Sequence, residues 1–426
     1  MSSFKAGVLP YVLVISLVGG ILASSMMLRF YLSVKESDFY MDYYLMHRHA
    51  ESALVFGMHE EQFNASKQFQ PLDLEVPDDE QVSYASASWG MFRLVLCRVQ
   101  KGEKTLEKAA LCGGRAKGEI PSLYVCDLHQ ALSLAGSTRL EGVCYVPEQG
   151  LKRAYIEGQS YDGTSMIYGQ QKTSKRELPS LEGDFTQRIE QLFKGEFSPE
   201  DSLVMFGSLP SDSIKHSFFR RTLIIRSNGD LHLKQGYYAG NIIFIASGKL
   251  RVAKECRLHH VLLLAKEIEI ESDASDLQAF ARERVVLKNK NVLKYPSVLA
   301  VLQEERSLPA NFRQEKPYGV RLEEDSRLAG CLLSLRKKYD PRIRLLISIE
   351  KNSLLFGQLY AQDLAEVQGE VCGSMYCEKL YLKTNSSTYE NYLLNAKISA
   401  KDLSPEFCGL MFKDVPHAKM QIDEVH

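Results

Sequence analysis

Few residues in this sequence are spaced for chemistry. His47-x-His49, the adjacent pair His259-His260 and the alternating acids Glu267, Glu269 and Glu271 bring together types that hold cations or move protons. On a strand, successive side chains point to opposite faces. The three glutamates therefore share one face and read as a solvated surface. By the same rule His259 and His260 point apart and are not expected to clamp a metal together. His47 and His49 would share a face on a strand, but their surroundings read as helix. Gly113-Gly114-Arg115 is not followed by the Lys-Ser/Thr of a phosphate-binding loop. Neither a Gly-x-Ser-x-Gly elbow nor a His-Glu-x-x-His pair occurs. An enzyme acting on polysaccharide would need acids or bases grouped on neighbouring repeats. Asp273, Asp276, Arg282 and Arg284 come nearest to that, and ordinary surface charge accounts for them equally well. The expectation is no catalytic residue, no cofactor, no metal and no enzyme.

The nine cysteines are Cys97, Cys112, Cys126, Cys144, Cys256, Cys331, Cys372, Cys377 and Cys408. An odd, widely spaced set in a chain of 426 residues does not read as a secreted disulfide framework. Cys372 and Cys377 lack a second pair to complete a zinc site. Most of the nine are expected to be small buried hydrophobes. A Cys112–Cys126 or Cys126–Cys144 disulfide stays open for an oxidising compartment. With 52 basic and 53 acidic residues, nothing marks a nucleic-acid footprint.

The elements that must position any site are dominated by a repeat between Thr222 and Leu302. Ile243-Phe244-Ile245-Ala246 leads to Leu250 and Val252, and Leu262-Leu263-Leu264-Ala265 leads to Ile268 and Ile270. Phe280-Ala281 leads to Val285-Val286-Leu287, and Val298-Leu299-Ala300 opens another copy. The alanines recur at steps of 19, 16 and 19. After a break between Pro309 and Pro317 a second dialect follows, in which Ser326 and Gly330 recur as Ser353 and Gly357, a shift of 27. Leu359-Tyr360-Ala361 then recurs as Met375-Tyr376-Cys377, a shift of 16. One such unit buries one face of each short strand and cannot stand alone. Stacked units pair every backbone edge about 4.8 Å away and share a core.

The predicted fold is mainly β, a parallel β-helix (β-solenoid) with an N-terminal transmembrane helix and a few inserted helices. Ala246, Ala265, Ala281, Ala300, Ala361 and Cys377 are expected at tight corners. A β-sandwich of hairpins is the competing reading, disfavoured because few connections carry Asn-Gly or Asp-Gly. The Gly-cornered section between Gly136 and Gln170 reads as an earlier, less regular part of the same stack. The organisation expected is a membrane and amphipathic helix (1–60), a linker (61–83), an irregular β-rich region (84–215), repeats (216–302), a loop (303–319), further repeats (320–415) and a tail (416–426). A helix is expected over Leu181–Lys194, capped by Asp184, with Phe185, Ile189, Leu192 and Phe193 on one face.

Val8 to Leu28 is a run of 21 uncharged residues between Lys5 and Arg29. About 20 apolar residues cross a bilayer, so Val8, Leu13, Leu17, Leu22 and Leu28 are read as a membrane span. The alternative is a cleaved signal peptide, with small residues near Ala23-Ser25. Gly19 with Ala23, and Gly20 with Ser24, are four apart and would let a second helix approach closely. The helical pattern continues to about Met58, carrying Phe39, Tyr40, Tyr43 and Tyr44 as a packing face or an interfacial belt.

A polar leader with Lys5-Ala6-Gly7, an apolar helix and an amphipathic extension resemble the N-terminal helix of type IV pilin-like and pseudopilin proteins. The chain has Val12 at the fifth position after the leader Gly, where processed pilins carry Glu. Short repeats with Gly corners are similar to bactofilins, cytoskeletal β-helix proteins. The C-terminal part, ISIEKNSLLFGQLYAQDLAEVQGEVCGSMYC, looks like that of membrane-anchored Bacteroidetes proteins. These resemblances imply a single-pass envelope protein with a non-enzymatic scaffold domain, on the outer side of the cytoplasmic membrane. Its implied partners are the membrane and a second copy or pilin-like proteins, with no nucleic acid. A bactofilin-like solenoid that self-associates on the cytoplasmic face and a polysaccharide-active β-helix enzyme are the alternatives.

Overall fold

A computed structural model describes residues 8–60, 67–183, 185–208, 213–305, 309 and 312–425. The leader Lys5-Ala6-Gly7 and the expected cap Asp184 lie outside the described residues. The protein is mainly β, with a long apolar helix at its N-terminus and one large parallel sheet. Its chain divides into two units, Met1–Phe56, Phe69–Tyr84 and Cys97–Lys108 in the first, and Gly57–Gln68, Ala85–Leu96 and Ala109–His426 in the second.

Helix α1 (Val8–His59) runs without a break for 52 residues, about 78 Å at 1.5 Å per residue. In the first unit its later turns bury Met46, Ala50, Ala53 and Leu54. Asp42 receives Lys101 Nζ at 2.7 Å and Lys104 Nζ at 2.9 Å, and Glu51 receives Lys108 Nζ at 3.3 Å. Half-exposed pairs of this kind contribute little individually, so the buried alanine and leucine face is the main tie. His47 and His49 do not converge: His47 meets the edge of Tyr43, and His49 Nδ1 faces the buried carboxylate of Glu80.

The second unit holds the parallel sheet, and its register follows the spacings in the sequence. Ile245 pairs with Leu264 and Ala265 with Ala281, the two offsets by which the alanines recur. Gly330 pairs with Gly357 and Tyr360 with Tyr376, the two offsets of the second dialect. These pairings are parallel and long-range, which excludes the hairpins of a sandwich. The register lines side chains into columns. One runs Ile225, Phe244, Leu263, Ala279, Leu299, Leu332, Leu359, Met375, Leu123 and Cys144, every member fully or nearly fully buried in one continuous core. Each buried Leu or Phe contributes roughly 1.5–3 kcal/mol, and no single repeat could bury both faces of its own strands.

Two members of that column carry a correction. The section holding Leu123 and Cys144 was expected before the 216–302 repeats, yet it stacks after the last of them. Leu123–Val125 pairs in parallel with Met375–Cys377, then Leu123–Tyr124 with Cys144–Tyr145, and Val143 with Gln170. The open backbone edge of Glu370–Lys383 needs partners, and this early segment supplies them. Tyr360, Tyr376, Tyr124 and Tyr145 then form a second column, with ring centroids 5.4–6.3 Å apart.

The small residues also fall into a column. Ala265, Ala281, Val301, Ser334, Ala361, Cys377 and Val125 are consecutive partners, and Ala246 follows Ile245 towards the same line. Strand register shifts just after Ala265 and Ala361. Ala300 is one position off. It pairs with Phe280 and Leu333, because the repeat there is longer by a single position and Ala281 meets Val301 instead.

Three other segments refine or depart from the sequence reading. Trp89 to Val99 is broken by a turn at Gly90-Met91, where Gly90 has φ +62°. The Gln278 amide clamps that turn, accepting from Met91 N at 2.8 Å and donating to Trp89 O at 3.0 Å. The tail is a strand, His417–Val425, antiparallel to Ala109–Ala116. Gln70–Pro71, inside the expected linker, is a short strand paired with Tyr84 and Ser83. Helix α2 (Phe185–Lys194) begins one turn later than expected and buries Phe185 and Ile189. All nine cysteines are free and buried, so neither disulfide left open above is formed. Burial pushes most of their thiols up to about 12, which keeps them unreactive.

Candidate functional site

Three features stand out: the exposed part of α1, a cavity beside α2, and a corner where two histidines meet an aspartate.

The first belongs to the first unit. Between Val8 and Leu28 the large apolar side chains of α1 are 49–77% exposed. Gly19 and Gly20 have open space around them. This is one helix long and apolar enough to cross a membrane, and its place near the N-terminus is also that of a signal sequence, so it is a candidate for either. Beyond it Tyr31, Phe39, Tyr40, Tyr43 and Tyr44 stay at least half exposed. Among the described residues the aromatic cluster is therefore largely uncovered. Lys35 lies over the Tyr31 ring at 5.1 Å and Lys104 over Phe39 at 4.9 Å.

In the second unit, a cavity of about 720 Å³ is lined among others by Glu190, Gln303, Arg336, Tyr360, Gln362 and Glu378. Two of its carboxylates face arginines. Arg282 grips Glu190 with both guanidinium nitrogens, Nη2 at 3.0 Å from Oε2. Arg336 Nη2 is 4.0 Å from Glu378 and 3.1 Å from Asp363. Burial raises the Glu378 carboxyl, with Arg336 opposing. The Tyr360 hydroxyl donates to Pro179 O at 3.0 Å, and burial pushes it up to about 12.

Asp273, Asp276, Arg282 and Arg284, considered above as one group, separate. Asp273 accepts from Val292 N at 2.7 Å as a turn cap, Arg282 is buried on Glu190, and Arg284 faces Glu267 at 3.8 Å. Glu269 binds Lys249 and Arg251, so two of the alternating acids, Glu267 and Glu269, carry ion pairs between neighbouring repeats.

Asp276 instead meets the histidine pair. Its Oδ2 lies 3.2 Å from His259 Nδ1 and 3.2 Å from His260 Nδ1. Strand alternation fails here for a local reason. His259 ends the strand Lys249–His259, and His260 adopts a left-handed conformation with φ +55°. That turn swings the second ring back beside the first, with centroids 3.8 Å apart. Asp276 has the same φ of +55° one repeat on, where His259 and Ser275 are paired. Left-handed corners recur at Lys290, Asp325 and Asn352, so the conformation explains the convergence without itself marking a site. Asp276 is 3% and His260 4% exposed, while the His259 side chain is 40% exposed. Asp423, on the last strand, reaches His260 Nε2 at 3.8 Å. A bulge between Gln421 and Asp423 shifts side-chain parity there, which is how bulges re-aim a residue. Burial, with the Asp423 charge adding, pushes the Asp276 carboxyl up to about 7. Burial also holds His259 below the ordinary histidine range. The sequence signal for this trio was the histidine pair itself; what it lacked was the corner that turns one ring around.

No protein-family model matches the chain, and a search of curated proteins gives no match. Among solved structures, the crystal structure of the competence-associated pilin ComZ from Thermus thermophilus aligns with 88% of this chain and 94% of its own, at 6% identity and a TM-score of 0.19. At that score the alignment says nothing of a shared fold. The likenesses to bactofilins and to Bacteroidetes proteins gain no support from these comparisons.

Proposed function

We propose that this protein is a single-pass envelope protein, anchored by α1, whose parallel repeats form a β-helix that serves as a rigid, non-catalytic scaffold or assembly component. The observation that carries the anchor is the uncovered apolar surface of α1 over 21 uncharged residues. Twenty-one helical residues span about 31 Å, against a hydrocarbon thickness of about 30 Å. The exposed aromatic residues that follow suit an interfacial belt. Parallel register from Ser202 through Cys377, and on through Leu123–Tyr124, Cys144–Tyr145 and Gln171–Lys172, supports the β-helix. Columns of buried apolar residues make such a stack stiff, which suits a spacer better than a moving part. In this reading the apolar helix, with Gly19, Gly20, Ala23 and Ser24 on it, also packs against partner helices, as in a pilin-like or secretion-like apparatus.

In this reading the β domain lies outside the cytoplasmic membrane. Because every native thiol is buried, a single cysteine added at exposed Ser386 is a clean reporter. Ser386→Cys in intact cells is expected to react with a membrane-impermeant maleimide, with the unsubstituted protein silent. Labelling only after lysis would put the domain in the cytoplasm and favour the bactofilin-like alternative.

A further inference from the structure

We propose that His259, His260 and Asp276 hold a divalent transition-metal cation, zinc by their donor set, with Asp423 orienting His260 from outside the coordination sphere. Two imidazole nitrogens and one carboxylate oxygen are ordinary zinc donors, bound at about 2.0–2.2 Å. Tetrahedral bonds of that length place neighbouring donor atoms about 3.3 Å apart. The two histidine nitrogens each stand 3.2 Å from Asp276 Oδ2, and all three donor atoms lie within 4.8 Å of one another. Three protein ligands leave the fourth position to water.

The surroundings match a metal better than a bare ion pair. A metal-bound histidine commonly directs its other ring nitrogen at a carboxylate, which fixes the ring and its tautomer. His260 would bind through Nδ1, and its Nε2 faces Asp423 at 3.8 Å. Both ion pairs of Asp276 are to histidine. A nearly fully buried carboxylate needs compensation, and a cation shared with both imidazoles supplies it while using the lone pair of each facing nitrogen. Two separate devices deliver these groups: the left-handed corner turns His260 beside His259, and the bulge in the last strand aims Asp423 at them.

The test uses the full-length chain in detergent, stripped with a chelator and titrated with Zn²⁺ by calorimetry and with Co²⁺ in the visible range. One equivalent of each is expected to bind, Co²⁺ with the intense d–d absorption of a four-coordinate site. His259→Gln removes a half-exposed ligand and is expected to weaken Zn²⁺ affinity at least a hundredfold. Asp423→Asn keeps one equivalent but weakens it about tenfold, as loss of an orienting carboxylate does. Absence of binding to the unsubstituted chain would overturn the site. So would affinity unchanged in both variants, which would mean the metal sits elsewhere.

Discussion

Gly357→Ala is expected to prevent the protein from reaching its native state in useful yield. Gly357 has φ +145°, in the region L side chains rarely adopt, and an added Cβ would lie 1.9 Å from Gly330 O and 2.9 Å from the Phe407 ring. Neither neighbour can give way. Gly357 is paired to Gly330 on one side and to Gly373 on the other. A Cβ at Gly373 would meet the Gly357 carbonyl at 1.8 Å in the same sense, so a shift at one level collides with the next. Backbone strain of about 1–3 kcal/mol adds to overpacking of about 1–3 kcal/mol or more. That sum approaches the ~5–15 kcal/mol stability of a whole domain. Gly229→Ala is the control: it meets nothing within 4 Å and has no positive φ. A thermal melt should show Gly229→Ala close to the parent and Gly357→Ala without a cooperative transition. A Gly357→Ala variant melting within a few degrees of the parent would mean the glycine column is not under this constraint.

Arg282→Ala is expected to be the costliest single loss outside the core columns, about 3–5 kcal/mol. The Arg282 side chain is 8% exposed, grips both oxygens of Glu190 and lies 4.0 Å over the Phe193 ring. Removing it strands a largely buried carboxylate on α2, and that stranded charge, rather than the lost attraction, dominates the cost. The double variant Arg282→Met, Glu190→Gln removes both charges while filling the volume, and should recover most of the loss. Urea melts of the three proteins decide it. A double variant as unstable as Arg282→Ala would show that the guanidinium's other contacts, to Phe193 and Leu302 O, matter more than the charge.

How far these features could be read in advance depended on whether the signal was local. The steps from Ala265 to Ala281 and from Gly330 to Gly357 were legible because each repeat pairs with its near neighbour in sequence, so register follows the spacing. The placement of Leu123–Thr173 was not. Its strands have the right alternation and corners, but nothing in them says they attach to Met375–Cys377, far along the chain. Pairing between distant edges leaves no local periodicity to count. His417–Val425 was missed for the same reason, its partner Ala109–Ala116 lying in the first third of the sequence. The helix over 185–194 was legible from its one apolar face, with its start displaced. At the candidate site the residue types were visible and the geometry was not. Strand alternation predicted that His259 and His260 diverge, and it was one left-handed residue at the strand end that reversed the outcome.

In the proposed function α1 stays attached and holds the β domain at a membrane. Fractionation of cells expressing the full-length chain, with alkaline extraction of the membranes and mass spectrometry of the recovered N-terminus, tests it most directly. The prediction is a protein that resists alkaline extraction, is released by detergent, and retains the whole run from Val8 to Leu28. Recovery in the soluble fraction, whether intact or cut near Ala23–Ser25, would contradict it.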